Sequence, residues 1–328
     1  MHYENLTYLM IEPNSTCNLH CITCNRDRLV ELGYRQKKLL TEQEFDFYLS
    51  QFQGCPIDTI KFEGLSEPMM HPKFDRLLER LRKAFPKAFV IIATNLQYKV
   101  DKTPLIPSIQ LSDMVYLSID GGPTNYERQR VGAKWDKLIN SLDQLKQLTS
   151  TETRKTKLHI NFTLTPENHM DLPQMYQLKD QYDLSSVRIN LAQNWNEDQD
   201  NKHQFTDELL ETLKPYKADI KGIPNWNYKD CFWPKNGVVV DVYGNVRQCI
   251  INTSQKPLGN LNQTPVKQIL NQSKHLSEVR QCLDRNTAHA SCLTCDYKFL
   301  SSKLQKIFGD EAANIKPRAI RTSTDANG

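Results

Sequence analysis

Short apolar, β-favouring runs alternate with amphipathic helical runs over roughly the first 190 of 328 residues. The strand-like runs are Thr7–Ile11, Ile57–Phe62, Ala88–Ala93, Val115–Ile119, Leu158–Leu164 and Val187–Leu191. Between them, Thr41 to Gln53 opens on a Thr41-x-x-Glu44 capping pattern, and Lys73 to Phe85 carries Phe74, Leu77, Leu78 and Leu81 at helical spacing. Trp135 to Leu148 and Leu172 to Tyr182 read as two further helices. Strands separated by helices pair in parallel through right-handed crossovers, so the expected class is α/β. Ala88-Phe-Val-Ile-Ile-Ala93 is nearly all apolar, as expected of a strand covered on both faces. Such folds bind ligands at the carboxyl ends of their strands.

Directly after the first strand stand Cys17, Cys21 and Cys24, in the order Cys17-Asn-Leu-His-Cys21-Ile-Thr-Cys24. Three thiolates on one loop can hold three irons of a cubane cluster and leave the fourth open to a ligand. Structural zinc takes four protein ligands, and only three are local. The chain holds nine cysteines and no apparent export signal, so metal or redox chemistry is expected rather than disulfides, and a cytoplasmic location with it. No run approaches the ~20 apolar residues of a membrane helix. A net charge of +4 is too mild to call for nucleic acid. Neither a GxGxxG fingerprint nor a Walker A loop is present, against nicotinamide and nucleotide-triphosphate chemistry.

The triplet and its place after a strand resemble the radical S-adenosylmethionine (radical SAM) enzymes. The resemblance implies that Cys17, Cys21 and Cys24 ligate a [4Fe–4S] cluster, with S-adenosylmethionine on the open iron. Phe62-Glu-Gly64-Leu-Ser66-Glu67-Pro68 is similar to the family's GGEP segment, which takes the cofactor's ammonium. Thr94-Asn95 and Ser118-Ile-Asp120-Gly121 look like the family's strand-end motifs, and Asn161 is polar in an apolar strand. Gly64, Ser66, Glu67, Asn95, Ser118, Asp120 and Asn161 are therefore the expected S-adenosylmethionine contacts. Arg188, on the sixth strand with Asn190, is the candidate catalytic residue; an interior Arg binds a substrate anion, orients a hydroxyl or stabilises a charge.

A second set follows in Cys231, Cys249, Cys282, Cys292 and Cys295. Tyr243-Gly-Asn245 reads as a hairpin turn within it. Cys231 through Gly244 to Cys249 resembles the opening of a SPASM domain, and no cysteine follows Cys295, as in the shorter twitch form. This implies an auxiliary [4Fe–4S] cluster on Cys231, Cys249, Cys292 and Cys295. Cys282 and Cys55 are expected to be buried thiols.

The expected architecture is a partial (β/α)6 TIM-like barrel over 1–193, a linker and connecting helix over 194–230, a small twitch/SPASM-like α+β domain over 231–308 and a flexible tail over 309–328. The resemblance implies an oxidoreductase that makes a 5′-deoxyadenosyl radical, abstracts a substrate hydrogen and passes an electron to the auxiliary cluster. Its electron donor would be of flavodoxin or ferredoxin type. A small alcohol of aminocyclitol type is the favoured substrate, since no obvious leader-binding extension precedes the barrel. Peptide or protein modification is the alternative, and a zinc-stabilised, non-catalytic RNA- or protein-binding module is the reading from another class.

Overall fold

In the computed structural model, residues 3–149, 155–193, 205–222, 224, 226–251, 256–293, 295–309 and 311 are described. The expected polar boundary at Asn194 to His203 lies outside them, as does nearly all of the expected tail.

The six expected strands form: β1 (Tyr8–Ile11), β2 (Thr59–Phe62), β3 (Phe89–Thr94), β4 (Met114–Ser118), β5 (Lys157–Leu164) and β6 (Ser186–Leu191). They lie side by side in that order, all parallel, and β7 (Ile220–Lys221) adds in parallel to β6. Helices α1 (Glu42–Ser50), α2 (Phe74–Ala84), α3 (Trp135–Leu148) and α4 (Leu172–Gln181) fall within a few residues of the sequence reading. The capping box at α1 is formed: the Glu44 amide donates to Thr41 Oγ1 at 3.2 Å, and the Thr41 amide donates to Glu44 Oε2 at 2.9 Å.

Strand period 2 decides which side chains go where. Ile60, Phe62, Val90, Ile92, Val115, Leu117, Ile160, Phe162, Val187 and Ile189 are buried beneath the helices, in the main core. The alternate positions face the barrel interior and are largely polar: Lys61, Tyr116, Ser118, Asn161, Arg188 and Asn190. Ile91 and Met114 pack against Tyr116 there in a separate small apolar cluster.

On the other edge of the sheet the chain does something the sequence did not reveal. Strand β8 (Gly237–Val240) pairs in parallel with β1, then turns back through β9 (Asn245–Arg247) to β10 (Gly259–Asn260). Among the described residues this makes one sheet of ten strands. The turn begins earlier than expected, at Asp241, and runs to Gly244. Asp241 Oδ1 accepts from the Tyr243 and Asn245 amides, both at 3.0 Å, and Gly244 takes φ +83°. The hairpin covers the edge that β1 would otherwise leave unpaired. No described helix is long and apolar enough to cross a membrane.

At the carboxyl end of β1, Glu12 and Arg35 form a buried ion pair, with both contacts at 3.2 Å. Glu12 Oε1 also accepts from the Leu65 amide at 2.7 Å, and Arg35 donates to the Leu65 carbonyl at 3.4 Å. Removing one partner strands the other charge. Arg35→Leu is expected to cost about 3–5 kcal/mol in urea denaturation of the metal-free chain, and Glu12→Met in the same chain to recover much of that loss.

Candidate metal and cofactor site

The loop after β1 is pinned on three sides before any cofactor is considered. His20–Cys21 pairs antiparallel with Arg130–Val131, and the Ile22 amide donates to the Gln129 carbonyl at 3.0 Å. Asn14 Nδ2 donates to the Glu67 carbonyl at 3.0 Å, and the Glu67 amide donates to the Thr16 carbonyl at 2.9 Å. Asn18 Nδ2 donates to the Gln97 carbonyl at 2.9 Å. The cysteine loop is thus tied to the loops that follow β2, β3 and β4.

Cys17, Cys21 and Cys24 line one cavity of about 190 Å³. Gly64, Ser66, Glu67, Asn95, Ser118 and Asn161 line the same cavity, so six of the seven expected cofactor residues meet the three thiols. Donors surround the sulfurs. Asn95 Nδ2 lies 3.8 Å from Cys17 Sγ, and Arg130 Nη1 lies 3.9 Å from Cys21 Sγ. Burial pushes the Cys17 thiol up to about 11 and the Cys21 thiol up to about 12, and raises Cys24 as well. Bare thiolates are therefore costly here, and metal ions supply the positive charge that would hold them ionised. The buried Asn25, next to Cys24, leaves both side-chain polar atoms without a protein partner, as does Ser66 Oγ on the cavity wall. Three thiols on a cavity with unfilled polar groups fit a cluster carrying one exogenous ligand.

Some positions differ from the sequence reading. Asp120 does not line the cavity: it is buried in an ion pair with Arg130 Nε at 2.8 Å and accepts from the Thr163 amide at 2.6 Å. Its charge is spent orienting Arg130, which itself lines the cavity. Glu67 accepts from the Met69 amide at 3.1 Å, Thr94 Oγ1 at 2.9 Å and the Asn95 amide at 2.7 Å, so its carboxylate first organises its own loop. Gly64 is required by Glu12: a Cβ there would stand 2.1 Å from Glu12 Cγ. Arg188 lies one step away from the cavity, with Cζ 5.2 Å from the centre of the Tyr116 ring that lines it. Asn190 Nδ2 donates to Asn161 Oδ1 at 2.9 Å.

The sequence reading missed Lys61 and Glu63, which line the cavity as an ion pair of 2.5 Å. Their signal was present, since they alternate with the buried Ile60 and Phe62. It missed Glu12 and Arg35 too, whose pairing joins segments far apart in the chain.

Cys231, Cys249, Cys292 and Cys295 line a second, smaller cavity of about 70 Å³ with Trp226, Tyr228, Phe232, Trp233 and Tyr297. Burial raises Cys231 to about 12 and Cys295 to about 11. Four thiols within an aromatic wall fit a metal group closed to water. Cys282, on helix α5 (Lys274–Asp284), does not line this cavity, and it is partly exposed rather than buried as expected. Cys55 lies apart from both sets, with its thiol against the Tyr3 carbonyl at 3.4 Å. Among the described residues, no three His, Cys, Asp or Glu side chains converge as a single-ion site; the thiols stand around cavities instead.

The comparisons agree with this geometry. Residues 231–296 match SPASM, an iron-sulfur cluster-binding domain. The structure of Streptococcus suis SuiB bound to the precursor peptide SuiA superposes with a TM-score of 0.68 at 15% identity, covering 93% of this chain and 71% of that one. A tagged form of anSMEcpe with bound AdoMet gives 0.65 at 17% identity, covering 94% and 98%. BtrN in complex with AdoMet and 2-DOIA gives 0.51 at 15% identity, covering 86% and 88%. In sequence, the chain is similar to a tungsten-containing aldehyde ferredoxin oxidoreductase cofactor-modifying protein of Pyrococcus furiosus, 25% identical over 185 residues. That match spans 52% of this chain and 47% of the relative, about half of each.

The fold is therefore that of these solved structures, and residues 231–296 are similar to a SPASM iron-sulfur cluster-binding domain.

One consequence is testable without any cofactor. Burial raises the Glu67 carboxyl from 4.5 to about 7, against the donors that favour its ionised form. The folded chain then holds a proton that the unfolded chain has released between those values. This contribution to stability is fully present below about 4.5 and is lost as pH rises through about 7. Glu67→Gln is expected to remove that slope from denaturation curves of the metal-free chain measured across this range.

Proposed function

We propose that this chain is a radical SAM oxidoreductase acting on a small polar alcohol. The observation that carries the reading is the pair of thiol-walled cavities, one with three cysteines and one with four, flanking a polar barrel interior. Cys17, Cys21 and Cys24 are the proposed ligands of the radical-generating cluster. Cys231, Cys249, Cys292 and Cys295 are the proposed ligands of the auxiliary one. The barrel is assigned to 1–193, a linker to 194–230 and the auxiliary domain to 231–308. When bound, the first cluster and S-adenosylmethionine would supply a 5′-deoxyadenosyl radical able to take a substrate hydrogen atom, the second cluster would take the remaining electron, and the hydroxyl proton would leave to solvent.

The chain's own residues do the rest. The Gly64–Glu67 loop, held by Glu12 below, would offer the unpartnered Ser66 hydroxyl to the cofactor's polar end. Arg130, fixed by Asp120, sets a positive charge beside the Cys21 sulfur, which favours the more reduced state of a cluster there. Trp226, Trp233 and Tyr297 wall the second thiol set with aromatic surface. A flavodoxin- or ferredoxin-type protein is the proposed electron donor.

Peptide modification is the second reading. It is favoured by the better superposition on SuiB with its precursor peptide than on BtrN, 0.68 against 0.51.

The test is anaerobic purification, followed by iron and sulfide analysis and addition of dithionite with S-adenosylmethionine. About eight irons per chain and release of 5′-deoxyadenosine are expected. A colourless, zinc-loaded protein that leaves the cofactor intact would overturn the assignment. Cys21→Ala is expected to lose about four irons and all cleavage, and Cys231→Ala to lose about four irons, whereas Cys282→Ala keeps all of them.

A further inference from the structure

Charged side chains on the interior face of the strands include Lys61 on β2, Glu63 just beyond it, Arg188 on β6 and Lys221 on β7, opposite Asn190. Lys61 and Glu63 neutralise each other at 2.5 Å. Arg188 has no carboxylate partner among the described residues. Its contacts are the Tyr116 ring, 5.2 Å from Cζ to the centroid, and the Tyr116 hydroxyl, to which Nη1 donates at 3.4 Å. Lys61 Nζ stands 5.8 Å from the centre of the same ring. Tyr116 therefore has two cations against it, and one of them, Arg188, has no carboxylate partner among the described residues.

The position of Arg188 makes that charge useful. Its cross-strand neighbour is Asn161, and Asn161 lines the three-cysteine cavity. A molecule held at Arg188 therefore lies beside Tyr116 and Asn161, next to the three-cysteine cavity. Guanidinium is a planar fork that pairs two N–H donors with a carboxylate. Asn190 stands two residues further along the same face, bonded to Asn161 and with its own amide oxygen available to a hydroxyl or amide of the ligand.

We propose that the substrate carries a carboxylate, and that Arg188 binds it. This rests on the enzymatic reading above and sharpens it: the interior favours an acidic substrate over a cationic aminocyclitol. The carboxylate has two sources, a small hydroxy acid or the free acid group of a peptide.

The experiment is a melting-temperature titration of the anaerobic protein loaded with clusters and S-adenosylmethionine. Its probes are 4-hydroxybutyrate and 4-hydroxybutyramide, N-acetyl-Gly-Ser-Gly and its C-terminal amide, and an aminocyclitol. One of the two acids is expected to bind at least tenfold more tightly than its neutral amide, and the tighter acid names the source. Arg188→Gln is expected to abolish the preference for acid over amide, Arg188→Lys to keep part of it, and Arg188→Glu to shift binding toward the aminocyclitol. Surface Arg80→Gln, whose side chain pairs with Glu42 and Asp46 away from the interior, serves as a control and keeps the preference. Equal binding of acids and amides, tightest binding of the aminocyclitol by the native chain, or a preference that survives Arg188→Gln would overturn the proposal. The enzymatic reading fails separately, on iron content and cofactor cleavage.

Discussion

The buried Glu12–Arg35 pair is the contact on which the site's geometry depends. Glu12 ends β1, Arg35 lies on the return from the cysteine loop, and both hold Leu65 in the loop after β2. Two charges removed from water must satisfy each other and the polar groups around them. Here that requirement locks three segments at the carboxyl edge of the sheet. Gly64 follows from it, because the space its side chain would need is filled by the Glu12 carboxylate. The cavity wall opposite the thiols is therefore set by an ion pair below the surface.

A second layer of paired groups works the same way. Asp120 is withdrawn from the cavity to hold Arg130, and Glu67 accepts three donors from its own loop and from the end of β3. Among the polar groups left after these pairings are those of Asn25, beside Cys24, and of Ser66 and Glu63, in the cavity wall. Burial raises the thiols, so the site is a poor host for free thiolates and a good one for thiolates bound to metal. The second thiol set reaches the same condition with an aromatic wall instead of a polar one.

The docking of the C-terminal hairpin unites the two sets. Because β8 pairs with β1, the strand leading into the first cysteine loop is the direct neighbour of a strand from the auxiliary region. Tyr8 on β1 packs edge-on against Phe232 and Trp233, which line the second cavity. The strand that leads to the first cavity and the aromatic wall of the second are thus in direct contact.

Much of this was legible in the chain. Period-2 and period-3.6 patterns are local, so the six strands and four helices could be read within a few residues. The two cysteine sets could be read from spacing, as could the loops after β2, β3 and β4 that meet them. Lys61 and Glu63 were legible in principle, as polar residues alternating with core positions. What the sequence could not decide was how charges far apart in the chain would pair. Asp120 looked like a ligand because nothing local says that Arg130 will claim it. Glu12 went unread because its partner Arg35 is 23 residues away. Pairing of buried charges is settled by three-dimensional proximity under the cost of desolvation, and that cost exists only once the sheet has closed. The sequence by itself determined where thiols able to carry metal chemistry stand in the chain; the tertiary structure decided which buried charges pair and which, like Arg188, are left without a carboxylate among the described residues.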